Sequence, residues 1–180
     1  MQPMKNIVFE NAYQKNARTL LDKLNSAEAI LVGAAAGMSA SCGYNFFYQN
    51  DAIFQKYLGE IPSELVPCCS CCGGPVTVNM ANSNAFFQTE QFQKKMQDYQ
   101  NFIKKYHGKR LAILELGVGW RNRMIKEPFM SLAASEPEAV YITFNKGEVY
   151  IPSEIAGKSI GVDGDIGEAL KEICLTRENL

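Results

Sequence analysis

Three times along this chain a short apolar run ends in a glycine-bearing loop: "ILVGAAAGMSAS" from Ile30, "LAILELGVG" from Leu111 and "AVYITFNKG" from Ala139. Each run has the length and the β-branched or leucine-rich content of a buried strand. Helical patterns separate them. Strands that alternate with helices need crossover connections, so the pattern predicts an α/β chain with a mainly parallel sheet and flanking helices. In such sheets ligands sit beyond the carboxyl ends of the strands. The loops at 33–39, 117–122 and 145–150 all leave those ends, and their convergence points to one ligand site.

The surrounding pattern fills in the layers. Residues 10–25, "ENAYQKNARTLLDKLN", place Ala12, Ala17, Leu20, Leu21 and Leu24 at helical spacing, as expected of an amphipathic helix packed on a sheet. Residues 28–32 form the first strand and Gly33 to Gly37 the turn out of it, with Ser39, Ser41 or Asn45 as candidate caps for a following helix. Thr89 to His107 reads as a long polar helix with Phe92, Met96, Tyr99 and Ile103 on one face, stopped by Gly108. Ser159 to Val162 is a fourth strand and Ile166 to Ile173 a closing helix. No internal repeat interrupts this order, so residues 1–180 read as one domain.

Composition narrows the function classes. A formal net charge of −1 over 180 residues gives no electrostatic footprint for nucleic acid or an anionic membrane surface. The N-terminus lacks the apolar run of a signal peptide and no stretch reaches membrane-span length, so a cytoplasmic protein is the expectation. Six cysteines stand at 42, 68, 69, 71, 72 and 174, four of them within five positions. That crowding suits reduced thiols better than a disulfide framework. Those four fall within residues 59–80, whose prolines and glycines mark a loop or small ribbon inserted in the domain. Cys69 and Cys72 make one Cys-x-x-Cys knuckle, half of the four-ligand set that zinc takes. Zinc completed by another chain, a redox or adventitious metal site, and a relic knuckle with free thiols all stay open.

Taken together, the loops resemble the sirtuin (Sir2) family, which opens on Gly-Ala-Gly-x-Ser-x-x-Ser-Gly-Ile-Pro-x-Phe. Ala35, Ala36, Gly37, Met38 and Ser39 stand on its first five positions, with Cys42 on the second serine, Gly43 on the next glycine and Phe47 on the phenylalanine. "VPCCSCCGGPVTVNM" is similar to the second knuckle of the family's zinc ribbon. "ILELGVG" followed by "IKEPF" resembles the Gly-Thr-Ser region in a bacterial branch related to the macrodomain-linked class. "YITFN" matches the strand whose asparagine, here Asn145, faces the adenosine ribose, and "GVDGDIGEAL" matches the segment closing over adenine, with Asp165 and Ile166 at the contact positions. The likeness runs from residue 27 to 170 in the family's order.

The resemblance implies a Rossmann-like fold and a dinucleotide ligand, NAD or ADP-ribose. Its implied cofactor-binding residues are Gly33, Ala35, Ala36, Gly37, Ser39, Phe47, Gly117, Val118, Gly119, Asn145, Asp165 and Ile166, with Cys69 and Cys72 as the metal residues. It implies NAD-dependent protein deacylation or ADP-ribosylation, an acylated or lipoylated protein as acceptor, and a homodimer as one way to complete the site. Two departures bear on that chemistry. Ala35 replaces the first glycine, placing a methyl where a backbone amide would approach a pyrophosphate. Only residues 48–65 fill the gap where the family carries a catalytic strand and histidine.

Transfer from the ribose needs a base within hydrogen-bonding reach of its proton. His107, the one histidine, is expected at a helix end on the far edge of the sheet. Asp51 reads as a solvated helix residue, and Glu115, mid-strand, needs a buried partner such as a lysine or a loop amide. Neither is assigned as a base, so no catalytic residue is assigned and the chain is expected to be weak or inactive alone. Arg121, Arg123 and Lys126 are either pyrophosphate cations or a basic exposed turn, and Trp120 is expected to pack rather than stack on a base.

Overall fold

The computed structural model describes residues 13–43, 71–74 and 89–178. The chain divides into two compact units, residues 1–45 with 106–180, and residues 46–105. The first unit carries α1 (Tyr13–Ser26), β1 (Ala29–Ala34), α2 (Ala36–Ser41), β2 (Leu111–Leu116), α4 (Arg123–Ser135), β3 (Val140–Asn145), a 3-10 turn (Ser153–Lys158), β4 (Ser159–Asp163) and α5 (Ile166–Glu178). In the second unit the helix α3 (Glu90–Tyr106) begins where the Thr89 hydroxyl accepts the Phe92 amide, 3.3 Å. Among the described residues no helix is long and apolar enough to cross a membrane.

The four strands form one parallel sheet in the order β1-β2-β3-β4. Side chains alternate between its faces, and register decides which residues share one. Leu116, Ile142, Phe144 and Val162 share the face covered by Ala17, Leu20 and Leu21 of α1 and by Ile166, Ala169 and Ile173 of α5. Gly33, Glu115, Tyr141 and Thr143 lie toward α4 on the other face. Helices on both sides explain why β2, "LAILEL", is apolar nearly throughout and almost wholly buried. β1 forms an outer strand among the described residues, and Ile30 and Val32 on it are 45% and 54% exposed.

Sequence and structure differ at the first loop. β1 extends to Ala34, so Gly33 lies inside the strand rather than in a turn. A Cβ at Gly33 would stand 2.6 Å from the Phe129 ring of α4, so the glycine lets that ring pack on the sheet. α2 starts directly after Ala35, and Ser39 and Ser41 fall within it instead of capping it. The Ser41 hydroxyl donates back to the Met38 carbonyl, 2.8 Å. Asn45, the third candidate cap, lies outside the described residues, as do Ala12 and Asp51.

One polar network sits inside the α4 face. The Glu115 carboxylate has no solvent exposure and accepts three bonds: from Lys126 Nζ at 2.6 Å, Thr143 Oγ1 at 2.8 Å and the Tyr141 hydroxyl at 2.7 Å. Burial, and then the adjacent Glu115 charge, push the Tyr141 hydroxyl far above the usual phenol range, so it donates and stays neutral. Lys126, a candidate pyrophosphate cation in the sequence, is 1% exposed and holds α4 to β2 instead.

At the opposite end of the sheet His107 Nδ1 lies 2.8 Å from Glu136 Oε1, and Glu136 Oε2 accepts the Gly108 amide at 2.8 Å. Gly108 takes a positive φ of 70°, which lets the chain turn from α3 into β2. The Glu136 hydrogen bond and charge raise the His107 pKa, while the hydrogen bonds from His107 and Gly108 lower that of Glu136.

Two outcomes follow from these networks. Lys126→Met, which strands a buried carboxylate, is expected to lower unfolding stability in urea by about 3–5 kcal/mol. Adding Glu115→Gln should recover much of that loss, because an amide needs no counter-charge; a loss under about 1 kcal/mol for the single variant contradicts the network's role. The His107 contribution is present below about pH 6.5 and fades as pH rises through the raised folded value, whereas that of Glu136 is present above about pH 4.5 and fades as pH falls through its lowered value. The stability difference between the protein and His107→Ala should therefore be greatest between those values and shrink on either side; a difference flat in pH counts against the pair.

Candidate functional site

The loops that leave β1, β2, β3 and β4 are knitted by backbone hydrogen bonds. Ala35 N–H donates to the Leu116 carbonyl at 3.2 Å and Gly37 N–H to the Gly117 carbonyl at 3.1 Å. Gly117 N–H in turn donates to the Phe144 carbonyl at 2.8 Å, and Gly164 N–H to the Asn145 carbonyl at 3.4 Å. Strand tips in a parallel sheet end at similar heights, so each loop meets its neighbour's first free carbonyl. The result is one continuous rim.

Two glycines make the first junction. A Cβ on Gly37 would stand 2.6 Å from Gly117 Cα, and one on Gly117 only 2.4 Å from the Met38 amide nitrogen. Gly117 also holds φ at 62°, a region that other residues enter with strain. The closeness explains why small residues fill "GAAAG". It also engages the Ala35 and Gly37 amides in the protein's own bonds. Among the described residues the amides of Ala36, Val118 and Gly119 are absent from the backbone bonds of these loops.

Side chains complete the rim. Asn145 is 9% exposed, and its amide nitrogen donates to the carbonyls of Val118 and Glu148, 3.4 and 3.3 Å, bridging the second loop to the third. Asp163 Oδ1 accepts the Gly147 amide at 2.7 Å, so the end of β4 steadies the same loop. Asp165 Oδ1 accepts the Glu168 amide, 3.1 Å, at the start of α5. Ile166, the first residue of α5, points its side chain into the core at 3% exposure. Ser39 is exposed on α2, and Val118 is fully buried beneath the second loop. Phe47 and Cys69 lie outside the described residues.

Charge around the rim differs from the sequence reading. Arg123 pairs with Glu127 along α4, and Lys126 is buried, so Arg121 alone of the three basic candidates stays out of the ion pairs found among the described residues. Two groups, Glu148 and Tyr150, escaped notice in the sequence, and they meet Gly119 and Trp120 of the second loop. Glu148 brings Oε2 to 3.5 Å from where a Cβ on Gly119 would stand, with no other approach within 4 Å among the described residues beyond its chain neighbours. Trp120 and Tyr150 meet above it, both about half exposed. No spacing rule marks such residues, because they meet only when two loops distant in sequence come together.

His107 lies at the opposite end of the sheet, before β2, as its place ahead of that strand implies. A cleft of about 410 Å³ opens at that end too, lined in part by Lys23, Arg110 and Lys158. Its cations are largely engaged: Arg110 Nε donates to the Ser26 carbonyl at 2.8 Å and Lys158 Nζ to the Glu136 carbonyl at 2.6 Å. The rim, with its glycine surface and open acidic and aromatic groups, is the better candidate. Among the described residues no group of three or more histidine, cysteine or acidic side chains is placed to hold a metal, and Cys71 and Cys72 are exposed thiols.

The close junction is testable. Gly117→Ala must relieve both a backbone clash and a strained φ, and is expected to cost about 2–4 kcal/mol in urea unfolding. Gly43→Ala, at positive φ of 89° but with nothing within 4 Å among the described residues, should cost about 1 kcal/mol. Equal losses for the two variants would contradict the packed junction.

No family model matches the chain. A protein ADP-ribosyltransferase of Staphylococcus aureus (strain Mu50 / ATCC 700699) is 27% identical to it over 143 residues, which cover 73% of this chain. The chain spans about half, 45%, of that relative's length. It is thus similar to part of a protein ADP-ribosyltransferase.

Proposed function

We propose that the parallel-sheet unit is a sirtuin-like domain that binds NAD or ADP-ribose across the rim of strand tips. The observation that carries this reading is the run of backbone bonds joining the four loops, from Gly37 through Gly117 and Phe144 to Asn145 and Gly164. It gathers the glycine surface, the amides of Ala36, Val118 and Gly119, and the Asn145 side chain along one edge. At Gly119 a side chain would meet, among the described residues, the Glu148 carboxylate. Ser39, Asp165 and the backbone of Ile166 border the same edge, and Phe47 joins them by resemblance.

ADP-ribosyl transfer is favoured over deacylation by the name that the relative carries. In that chemistry NAD is the substrate: the bond from ribose C1 to nicotinamide breaks as the acceptor's bond to C1 forms. This chain's contribution is to hold the adenosine and pyrophosphate and to orient the ribose. Its one imidazole stands at the other end of the sheet and is not that proton acceptor, which we assign to a group outside this unit. A second copy is one source, and the outer strand β1, with Ile30 and Val32 open, supports it.

Calorimetric titration tests the reading. ADP-ribose should bind the protein, and Asn145→Ala should weaken it about tenfold by loosening the second and third loops. The protein alone should release nicotinamide from NAD no faster than background. Folded protein that gives no heat with ADP-ribose overturns the proposal, and rapid nicotinamide release overturns the assignment of the proton acceptor to a group outside it.

A further inference from the structure

Trp120 and Tyr150 leave different loops and meet edge to face, with ring centroids 5.0 Å apart and planes at 69°. Trp120 keeps 49% of its surface open and Tyr150 46%. The sequence predicts that Trp120 packs; it does so in part, against Tyr150 among others, and keeps about half of its surface open. Apolar surface exposed in pairs on converging loops is a mark of a binding surface rather than of a core.

The neighbourhood narrows what that surface takes. Glu148 precedes Tyr150 by two residues and sets its carboxylate over Gly119, the residue before Trp120. The Asn145 side chain bridges Val118 and Glu148, so the loops that carry the rings are tied at a set distance. A flat apolar ring surface and a carboxylate that only accepts hydrogen bonds therefore share one gap. A phosphate is repelled by that carboxylate. A planar heterocycle with N–H donors, joined to a sugar with hydroxyl donors, matches both features.

We propose that the purine ring of the dinucleotide stacks on Trp120, steadied by Tyr150, while the Glu148 carboxylate accepts a hydrogen bond from the exocyclic amine or a ribose hydroxyl. This rests on the reading of the rim as an NAD or ADP-ribose site, and it names the residues that set its preference for an adenine nucleotide. The pyrophosphate then runs toward the junction of the first and second loops, away from Glu148.

Trp120 is the only tryptophan in the chain, so intrinsic fluorescence reports on this spot alone. ADP-ribose and AMP should quench it, and ribose 5-phosphate at the same concentrations should not. In calorimetry Trp120→Ala should weaken ADP-ribose about tenfold or more, Trp120→Phe should retain most of the affinity, and Glu148→Gln should fall between them. Urea unfolding of each variant checks that it is folded. ADP-ribose that binds with unchanged fluorescence and with equal affinity for Trp120→Ala overturns the stacking and leaves the dinucleotide reading standing. Quenching by ribose 5-phosphate equal to that by AMP overturns the purine assignment. No binding of ADP-ribose by the folded protein overturns both.

Discussion

A single carboxylate without solvent exposure holds the centre of this structure. Glu115 lies one residue before the end of β2 and takes bonds from β3 through Tyr141 and Thr143, and from α4 through Lys126. A buried charge is tolerable only when it is paired and fully hydrogen-bonded, and here three donors meet its two oxygens. The consequence is positional. The loop at 117–122 runs from the end of β2 to the first turn of α4, and Glu115 anchors the elements on both sides of it. Its path over the sheet is thereby fixed by the protein's own contacts.

Above that anchor the chain approaches itself at van der Waals limits. Gly37 and Gly117 press backbone on backbone, and Gly33 admits the Phe129 ring below them. The glycines of the first two loops thus serve packing as well as access. Their amides are partly engaged within the protein, so among the described residues the set that the proposed site draws on is narrower: Ala36, Val118, Gly119 and the side chains that border them. The proposed site therefore selects by shape along the rim rather than by a single nest of amides. In the proposed site the outer groups, Trp120, Tyr150 and Glu148, add the directional chemistry that glycine cannot supply.

The parallel α/β architecture was legible because strand length, apolar content and loop glycines repeat along the chain. Helix α1, with Ala17, Leu20 and Leu21 inward, follows from helical spacing alone. The need of Glu115 for a partner was legible too, since a mid-strand carboxylate has few tolerable surroundings. That Lys126 is the partner was hidden, because the same residue in a basic run reads equally well as exposed. Gly33 misled for a related reason: a glycine after apolar residues marks a turn or a close contact, and only the position of Phe129 decides. The pairing of Trp120 with Tyr150 depends on two loops whose separation in sequence carries no periodic signal.

The central claim is that the carboxyl ends of these strands, and not the cleft at their amino ends, receive the dinucleotide. Backbone amide chemical shifts followed by NMR during titration with ADP-ribose test it most directly. The largest changes are expected at Ala36, Val118, Gly119 and residues 145–150. Changes gathered instead around Ser26, Arg110 and Lys158 would contradict it and place the ligand at the other end of the sheet.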